Sequence, residues 1–412
     1  MRKALLNAAI VLPAFLALAI AATNVFVFHA ALRGRGFALI GAAVVYLALC
    51  VILRETPATV AKMAVLAWST VLVAFAYGPV KLYLSGEAKA DPVWASAFDD
   101  VPWGPSFIDE HRASNRLWWR SYVYWRRPPY KGEYINVNDD GVRQTWNAPH
   151  GDAKPTRIFT FGGSTMWGSG ARDDYTIPSE LSRILSQEGF NVEFTNYAET
   201  GWVSTQSLIW LILELRQGKV PDVVLFYDGA NDVHSAFQNR EPGMPGNEIN
   251  RKKQFAAERS MVNLKVPKID DTILANQTID RYLGNLEILD ALAKTYGFSI
   301  LAVWQPISYV DKELTKYEHD QAYDLGEPMA KFYQLSYGLM RERAPKNVLN
   351  VSDAFSGVKE QVYLDHAHLN ELGDEIVAKR IAPAVAEILR ARSAKPPGAS
   401  AQVSVQAAAA AR

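Results

Sequence analysis

A chain of 412 residues is long enough for two to three folded units. Apolar residues make up 49% of it, which allows a sizeable buried core, and 43 lysines and arginines balance 43 aspartates and glutamates. The net charge of zero argues against a nucleic-acid-binding protein, which carries a basic surplus. The one cysteine, Cys50, lies in an apolar run and reads as a packing residue; it can form no internal disulfide and leaves the redox compartment open. No Cys/His cluster has metal-ligand spacing.

Apolar residues gather at the amino end, in runs at about residues 4–32, 37–53 and 63–84. A bilayer core about 30 Å thick takes about 20 apolar residues as helix. The three runs are therefore expected to be transmembrane helices, making residues 1–84 a membrane anchor. Arg2 and Lys3 precede the first run and place the amino terminus in the cytoplasm. Three crossings then put everything after about residue 85 outside. A cleaved signal peptide over residues 1–23 is the rival reading, and it also leaves the large domain outside.

Residues 85–155 read as a connecting region. Within it, residues 117–127 (Leu-Trp-Trp-Arg-Ser-Tyr-Val-Tyr-Trp-Arg-Arg) interleave aromatic and basic side chains. Trp118, Trp119, Arg126 and Arg127 are candidates for stacking on sugar rings and holding anionic groups. The same stretch would suit a membrane interface or packing against the next domain. Asn138-Asp139-Asp140-Gly141 reads as a turn between two short strands.

From residue 156 to 392 strands and helices alternate. Residues 157–161, 192–194, 223–227, 298–304 and 348–351 read as strands. Residues 177–187, 204–217 and 373–392 read as helices, with Ser204 or Thr205 able to cap the second. The continuous apolar run at 223–227 is of the kind buried on both faces. The alternation predicts a parallel sheet with helices on both sides. Residues 235–260 are polar and rich in Pro, Gly, Asn and Arg, and read as a long loop, a lid or a disordered excursion. Residues 393–412 read as a disordered tail.

Chemistry-bearing residues follow three strands. Gly162-Gly163-Ser164 comes just past the first, where two glycines permit a tight turn and close approach of a substrate. Gly229-Ala230-Asn231-Asp232 comes after the strand at 223–227, and the Asn231 amide could donate to a developing oxyanion. His234 reads as a solvated histidine. Asp365-His366-Ala367-His368 completes the set: a serine hydroxyl needs a base, and an imidazole needs a carboxylate to fix its tautomer. Asp365 and His368 are three apart, so one local turn can join them, whereas His366 is expected to point elsewhere.

Taken together, these segments resemble the SGNH (GDSL-like) hydrolase superfamily over about residues 156–390. Gly162-Gly163-Ser164 is similar to its serine block, residues 196–201 to its glycine block with Gly201, Gly229-Ala230-Asn231-Asp232 to its asparagine block, and Asp365-His366-Ala367-His368 to its Asp-x-x-His element. The serine block departs from Gly-Asp-Ser-Leu, with Gly163 for the aspartate and Thr165 for the leucine. The resemblance implies a three-layer α/β/α, flavodoxin-like fold acting on esters without metal or cofactor. It implies Ser164 as nucleophile, His368 as general base and then acid, and Asp365 as its orienting carboxylate. The backbone N–H groups of Ser164 and Gly201 and the side chain of Asn231 would form the oxyanion hole.

The function expected is an extracytoplasmic serine esterase that removes acyl or acetyl groups, with a cell-envelope polysaccharide as the acylated partner. One alternative is an O-acyltransferase using the same triad, with a separate envelope-biosynthesis membrane partner supplying the acyl group. Another is a non-catalytic glycan-binding or assembly protein.

Overall fold

The computed structural model describes residues 92–259, 266–322 and 325–394. The expected transmembrane helices, Cys50 and all but the first two residues of the expected tail lie outside the described residues. Among the described residues no helix is long and apolar enough to cross a membrane. The chain divides into two compact units. One holds residues 91–248 and 266–412 and carries everything below. Of the other, formed by residues 1–90 and 249–265, the described part is most of the helix Glu248–Arg259.

The large unit is an α/β fold around a parallel five-stranded sheet. After a helix α1 (Gly104–Ser114) come two antiparallel hairpins, β1 (Trp118–Arg120) with β2 (Tyr124–Arg126) and β3 (Tyr130–Lys131) with β4 (Asn136–Val137). The main sheet follows as β5 (Thr156–Gly162), β6 (Val192–Asn196), β7 (Val223–Asp228), β8 (Ser299–Trp304) and β9 (Val348–Asn350). Its order is β6-β5-β7-β8-β9, with every pairing parallel. This is the flavodoxin-like order, in which ligands gather at the carboxyl ends of the strands near the switch between β5 and β7. The unit's further helices are α2 (Ser164–Trp167), α3 (Ile177–Gln187), α4 (Ser204–Arg216), α5 (Ala230–Asn239), α7 (Asp271–Tyr296), α8 (Lys316–Ala322), α9 (Glu327–Arg343) and α10 (Glu371–Ser393), and α6 (Glu248–Arg259) belongs, but for its first residue, to the other unit.

Side-chain alternation along the strands builds two cores. Ile158, Val223, Leu225, Tyr227, Leu301 and Val303 face α3 and α10, where Leu181, Ile381 and Val385 meet them. Phe159, Phe161, Val224, Phe226 and Trp304 face α4, α7 and α9, against Leu211, Tyr282 and Tyr337. Successive residues of a strand point to opposite faces, so a run that is apolar at every position serves both layers. All six residues of β7 are buried for this reason. Each such Val, Leu or Phe contributes about 1.5–3 kcal/mol of burial free energy.

Residues 92–155 belong to the same unit as the sheet. Trp94, Phe98, Phe107 and Ile135 join the core on the α3/α10 side. The Glu110 carboxylate of α1 accepts the backbone N–H groups of Glu133, Tyr134 and Ile135 at 2.7–3.0 Å and fixes the second hairpin. The turn at 138–141 forms as its sequence suggests. Asn138 Oδ1 accepts from the N–H groups of Asp140 and Val142, and Gly141 takes φ 76°, a left-handed conformation suited to glycine.

Two expectations differ from the structure. The stretch 235–260 is largely helical, in α5 and α6, and the irregular part shrinks to the turn between them. Pro242, Gly243, Pro245 and Gly246 fall in that turn, and their helix-breaking chemistry obscures the helices on either side. Helix α4 is not capped by Ser204 or Thr205. Its N-cap is Val203, whose N–H donates to Gln206 Oε1 at 3.2 Å. The Ser204 hydroxyl donates instead to Asp232 Oδ1 at 2.6 Å.

Candidate active site

Ser164 opens α2 directly after β5. The backbone reaches it through two glycines that no larger residue could replace in place. A Cβ on Gly162 would overlap the carbonyl of Tyr227 on the neighbouring strand. A Cβ on Gly163 would overlap Asn231 Nδ2. The second overlap is the informative one: the asparagine amide lies directly against the backbone that leads into Ser164.

The other end of the site is a loop between β9 and α10. Asp365 Oδ1 accepts the N–H groups of Ala367 and His368 at 2.9 and 2.8 Å, which closes a tight turn. Its Oδ2 lies 2.6 Å from His368 Nδ1. The opposite ring nitrogen, His368 Nε2, lies 2.8 Å from Ser164 Oγ. Three side chains separated by up to 204 positions thus form one hydrogen-bonded line. An imidazole accepts a serine proton only if its other nitrogen carries the hydrogen, and a carboxylate at Nδ1 enforces that tautomer. Burial alone would raise the Asp365 carboxyl, but His368, its hydrogen bond and His366 outweigh this and hold it well below the usual carboxylate range. Asp365 therefore stays charged.

The expected donors Asn231 and Gly201 lie on elements that touch the two glycines before Ser164: Asn231 Nδ2 lies against Gly163, and the N–H of Glu199, in the turn of Gly201, donates to the carbonyl of Gly162. Asn231 sits in the first turn of α5, just past β7, and its Nδ2 donates to the carbonyl of Trp202 at 2.9 Å. That bond uses one of its two hydrogens and ties it to the turn 199–202. Gly201 lies at φ 71° in this turn, a conformation favoured by glycine. Among the described residues, nothing accepts from the backbone N–H of Gly201 or from that of Ser164. Such preset N–H donors are what a developing oxyanion needs.

The turn that carries Gly201 is clamped by the first hairpin. Arg126 and Arg127, candidates for gripping an anionic substrate, are buried and committed elsewhere. Arg126 Nη1 donates to the carbonyl of Tyr197 at 2.9 Å. Arg127 forms a buried ion pair with Glu199 at 3.3 Å, and its Nη2 donates to Thr200 Oγ1 at 2.6 Å. Burial lowers the Arg127 guanidinium to about 10, with Glu199 opposing that shift, so it stays charged. Glu199 Oε1 also accepts the N–H of Thr200 at 2.7 Å. Trp125 Nε1 donates to the carbonyl of Thr200 at 2.7 Å. Trp118 and Trp119, by contrast, are exposed on β1.

Behind Asn231 lies a pair of buried carboxyls. Asp232 accepts from Ser204 Oγ at 2.6 Å, and Asn285 Nδ2 donates to that same hydroxyl at 2.9 Å. Asp228 is buried nearby, with the Ser207 hydroxyl beside it. Burial, and then the neighbouring Asp232, push Asp228 well up; burial also raises Asp232, against the hydrogen bonds of Ser204. Both carboxyls therefore hold a proton more readily than a free aspartate.

His234 and His366 are not the solvated and uninvolved residues that their spacing suggests. Their rings stack at 6.1 Å, and His366 also packs 6.4 Å from Tyr309 and 6.2 Å from Tyr333. His366 Nδ1 lies 3.8 Å from Asp365 Oδ1. Burial drives the His366 imidazole from 6.5 to about 4; Asp365 opposes this, while His368 and His234 reinforce it. Between those two values the unfolded chain binds a proton that the folded chain does not. Stability is therefore full above about pH 6.5 and is lost as pH falls toward 4, by up to about 3 kcal/mol. The carboxyl pair acts in the opposite sense over an overlapping range, so the comparison must be between variants. Thermal melts of His366→Gln should lose less stability between pH 7.5 and 4.5 than the parent. Parallel pH curves for the two proteins would remove His366 from this account.

No protein-family model and no curated protein matches the chain. Among solved structures it is similar to an acetyl xylan esterase, AlAXEase, at 16% identity and a TM-score of 0.33, over 56% of this chain and 99% of that one. It is similar to the psychrotrophic esterase EstA from Pseudoalteromonas sp. at 15% identity and a TM-score of 0.31, over 57% and 99%. It is also similar to the acetylxylan esterase Axe2 from Geobacillus stearothermophilus at 14% identity and a TM-score of 0.33, over 55% and 92%.

Proposed function

We propose that this chain is a serine ester hydrolase of the SGNH type, anchored to a membrane by its first 84 residues and acting outside the cytoplasm. The observation that carries the reading is the hydrogen-bonded line from Ser164 Oγ through His368 to Asp365, at 2.8 and 2.6 Å. Ser164 Oγ attacks the acyl carbon while its proton passes to His368 Nε2. The carbonyl oxygen becomes an oxyanion held by the N–H groups of Ser164 and Gly201 and by Asn231 Nδ2. The tetrahedral centre collapses, the ester C–O bond breaks, and the imidazolium returns its proton to the leaving alkoxide. Water then attacks the acyl-enzyme with His368 again as base, releasing the acid and restoring Ser164.

A fluorophosphonate probe tests the reading, because its phosphonyl oxygen occupies the oxyanion position. The parent should be labelled on Ser164, located by peptide mass, and Ser164→Ala should not. Asn231→Ala should be labelled roughly a hundredfold more slowly, as expected when one of three oxyanion donors is lost. Equal labelling of parent and Ser164→Ala would defeat the assignment.

A further inference from the structure

The hairpin of β1 and β2 leaves large aromatic side chains in water. Trp118, Trp119 and Tyr122 are 63, 69 and 67% exposed. The rings form a row rather than a patch. Cross-strand register places Trp119 opposite Trp125, on one face. Regular alternation would send Tyr124 to the other face. Instead Tyr124 takes a left-handed φ of 72°, and its ring lies 5.4 Å from Trp119 and 6.5 Å from Trp125, tilted by only 33° and 28°. A non-glycine residue is strained in that conformation, and such strain clusters where a site requires it. The row then reaches the oxyanion turn. Trp125 Cζ2 is the atom that a Cβ on Gly201 would meet, at 3.6 Å.

We propose that Trp119, Tyr124 and Trp125 are successive stacking subsites for the sugar rings of an acylated polysaccharide whose ester is delivered to Ser164. The inference rests on the ester-hydrolase reading and names its substrate class. The face of an aromatic ring is electron-rich and attracts the C–H face of a sugar ring, whose hydroxyls stay in water around the rim. A linear polymer needs such faces in succession along a path to the reacting bond. A bilayer would instead meet rings at a common depth. Here the row descends from exposed Trp119 to half-buried Tyr124 and Trp125.

The test uses the full-length chain in detergent, with acetylated xylan, glucomannan and pectin as probes and p-nitrophenyl acetate as a small ester. Affinity electrophoresis of Ser164→Ala should show retardation by at least one glycan. Adding Trp119→Ala should weaken that retardation about five- to tenfold, the scale of one aromatic contact. In the active enzyme, Trp119→Ala should lower kcat/KM for the polymer at least fivefold further than for p-nitrophenyl acetate. Retardation by none of the glycans, or retardation indifferent to Trp119, overturns the proposal. In vesicles doped with brominated lipid, the emission removed by Trp119→Phe should escape quenching. Quenching would seat the row in the bilayer and also overturn it. Should the parent fail to cleave p-nitrophenyl acetate, the ester-hydrolase reading falls, and the electrophoresis still decides the row.

Discussion

Ser164→Ala should lower kcat for p-nitrophenyl acetate by about 10⁵–10⁶-fold, and adding His368→Ala should cost almost nothing more. The reason is geometric. Ser164 Oγ and His368 Nε2 are 2.8 Å apart, so the hydroxyl and its base act as one nucleophile. Without the hydroxyl, the imidazole has no serine to activate. Without the imidazole, the hydroxyl keeps its proton and attacks poorly. A unit lost once cannot be lost again, so the two effects should not add. Residual turnover should come from water attacking an ester polarised by Gly201 and Asn231. KM should move little, because the lost interaction belongs to the transition state. Initial-rate kinetics on the two single variants and the double variant measure this. A Ser164→Ala enzyme retaining a tenth of the parent rate, or a double variant whose losses multiply, would contradict the unit.

The strands are the part of the fold most plainly written in the sequence. Val223–Asp228 is buried on both faces, so its apolar run is unbroken and bounded by polar residues. The 26-residue helix α7 is harder to read. It buries Thr278 and Asn285 among its apolar residues while leaving Ile273 and Ile288 exposed, which blurs the 3.6-residue period. Helix α5 is masked differently. It begins on the asparagine block, and its Asp232 is buried against Ser204 rather than facing water. A polar residue that finds a tertiary partner looks like a loop residue until that partner is known.

The site divides in the same way. Ser164, Asn231 and the Asp365–His368 pair each follow a strand or form a local turn, so short-range spacing points to them. The residues that hold them are paired across distance: Arg127 with Glu199 over 72 positions, Trp125 with Thr200 over 75, and Asn285 with Ser204 over 81. No local pattern announces such pairs. Arg126 and Arg127 even mislead, because a basic cluster beside tryptophans suits an exposed anion site as well as a buried clamp. The Arg127 guanidinium is paired with Glu199 and also stacks 3.5 Å above the Trp167 ring, and together these offset burial of a charge that composition would leave in water. Only the fold shows that the hairpin outside the α/β core sets the turn of Gly201.

Asp365→Asn should reduce kcat by about 10⁴-fold while leaving the fold intact, because it would install the wrong tautomer on His368. In the parent, one carboxylate oxygen is committed to two backbone N–H groups, those of Ala367 and His368. Both are donors, so an asparagine must turn its carbonyl oxygen toward them. Its NH₂ group then faces His368 Nδ1, where it can only donate. The imidazole accepts there and carries its hydrogen on Nε2, the atom that faces Ser164 Oγ. A nitrogen that already bears hydrogen cannot take the serine proton. The charge that would stabilise the imidazolium is lost as well. Raising pH favours the attacking alkoxide and should recover part of the loss, whereas Ser164→Ala should recover nothing. Nitrogen-15 chemical shifts of the His368 ring would report the tautomer directly. An Asp365→Asn protein that keeps its hydrogen on Nδ1 and yet loses activity, or one that turns over within tenfold of the parent, would refute the orienting role of this carboxylate.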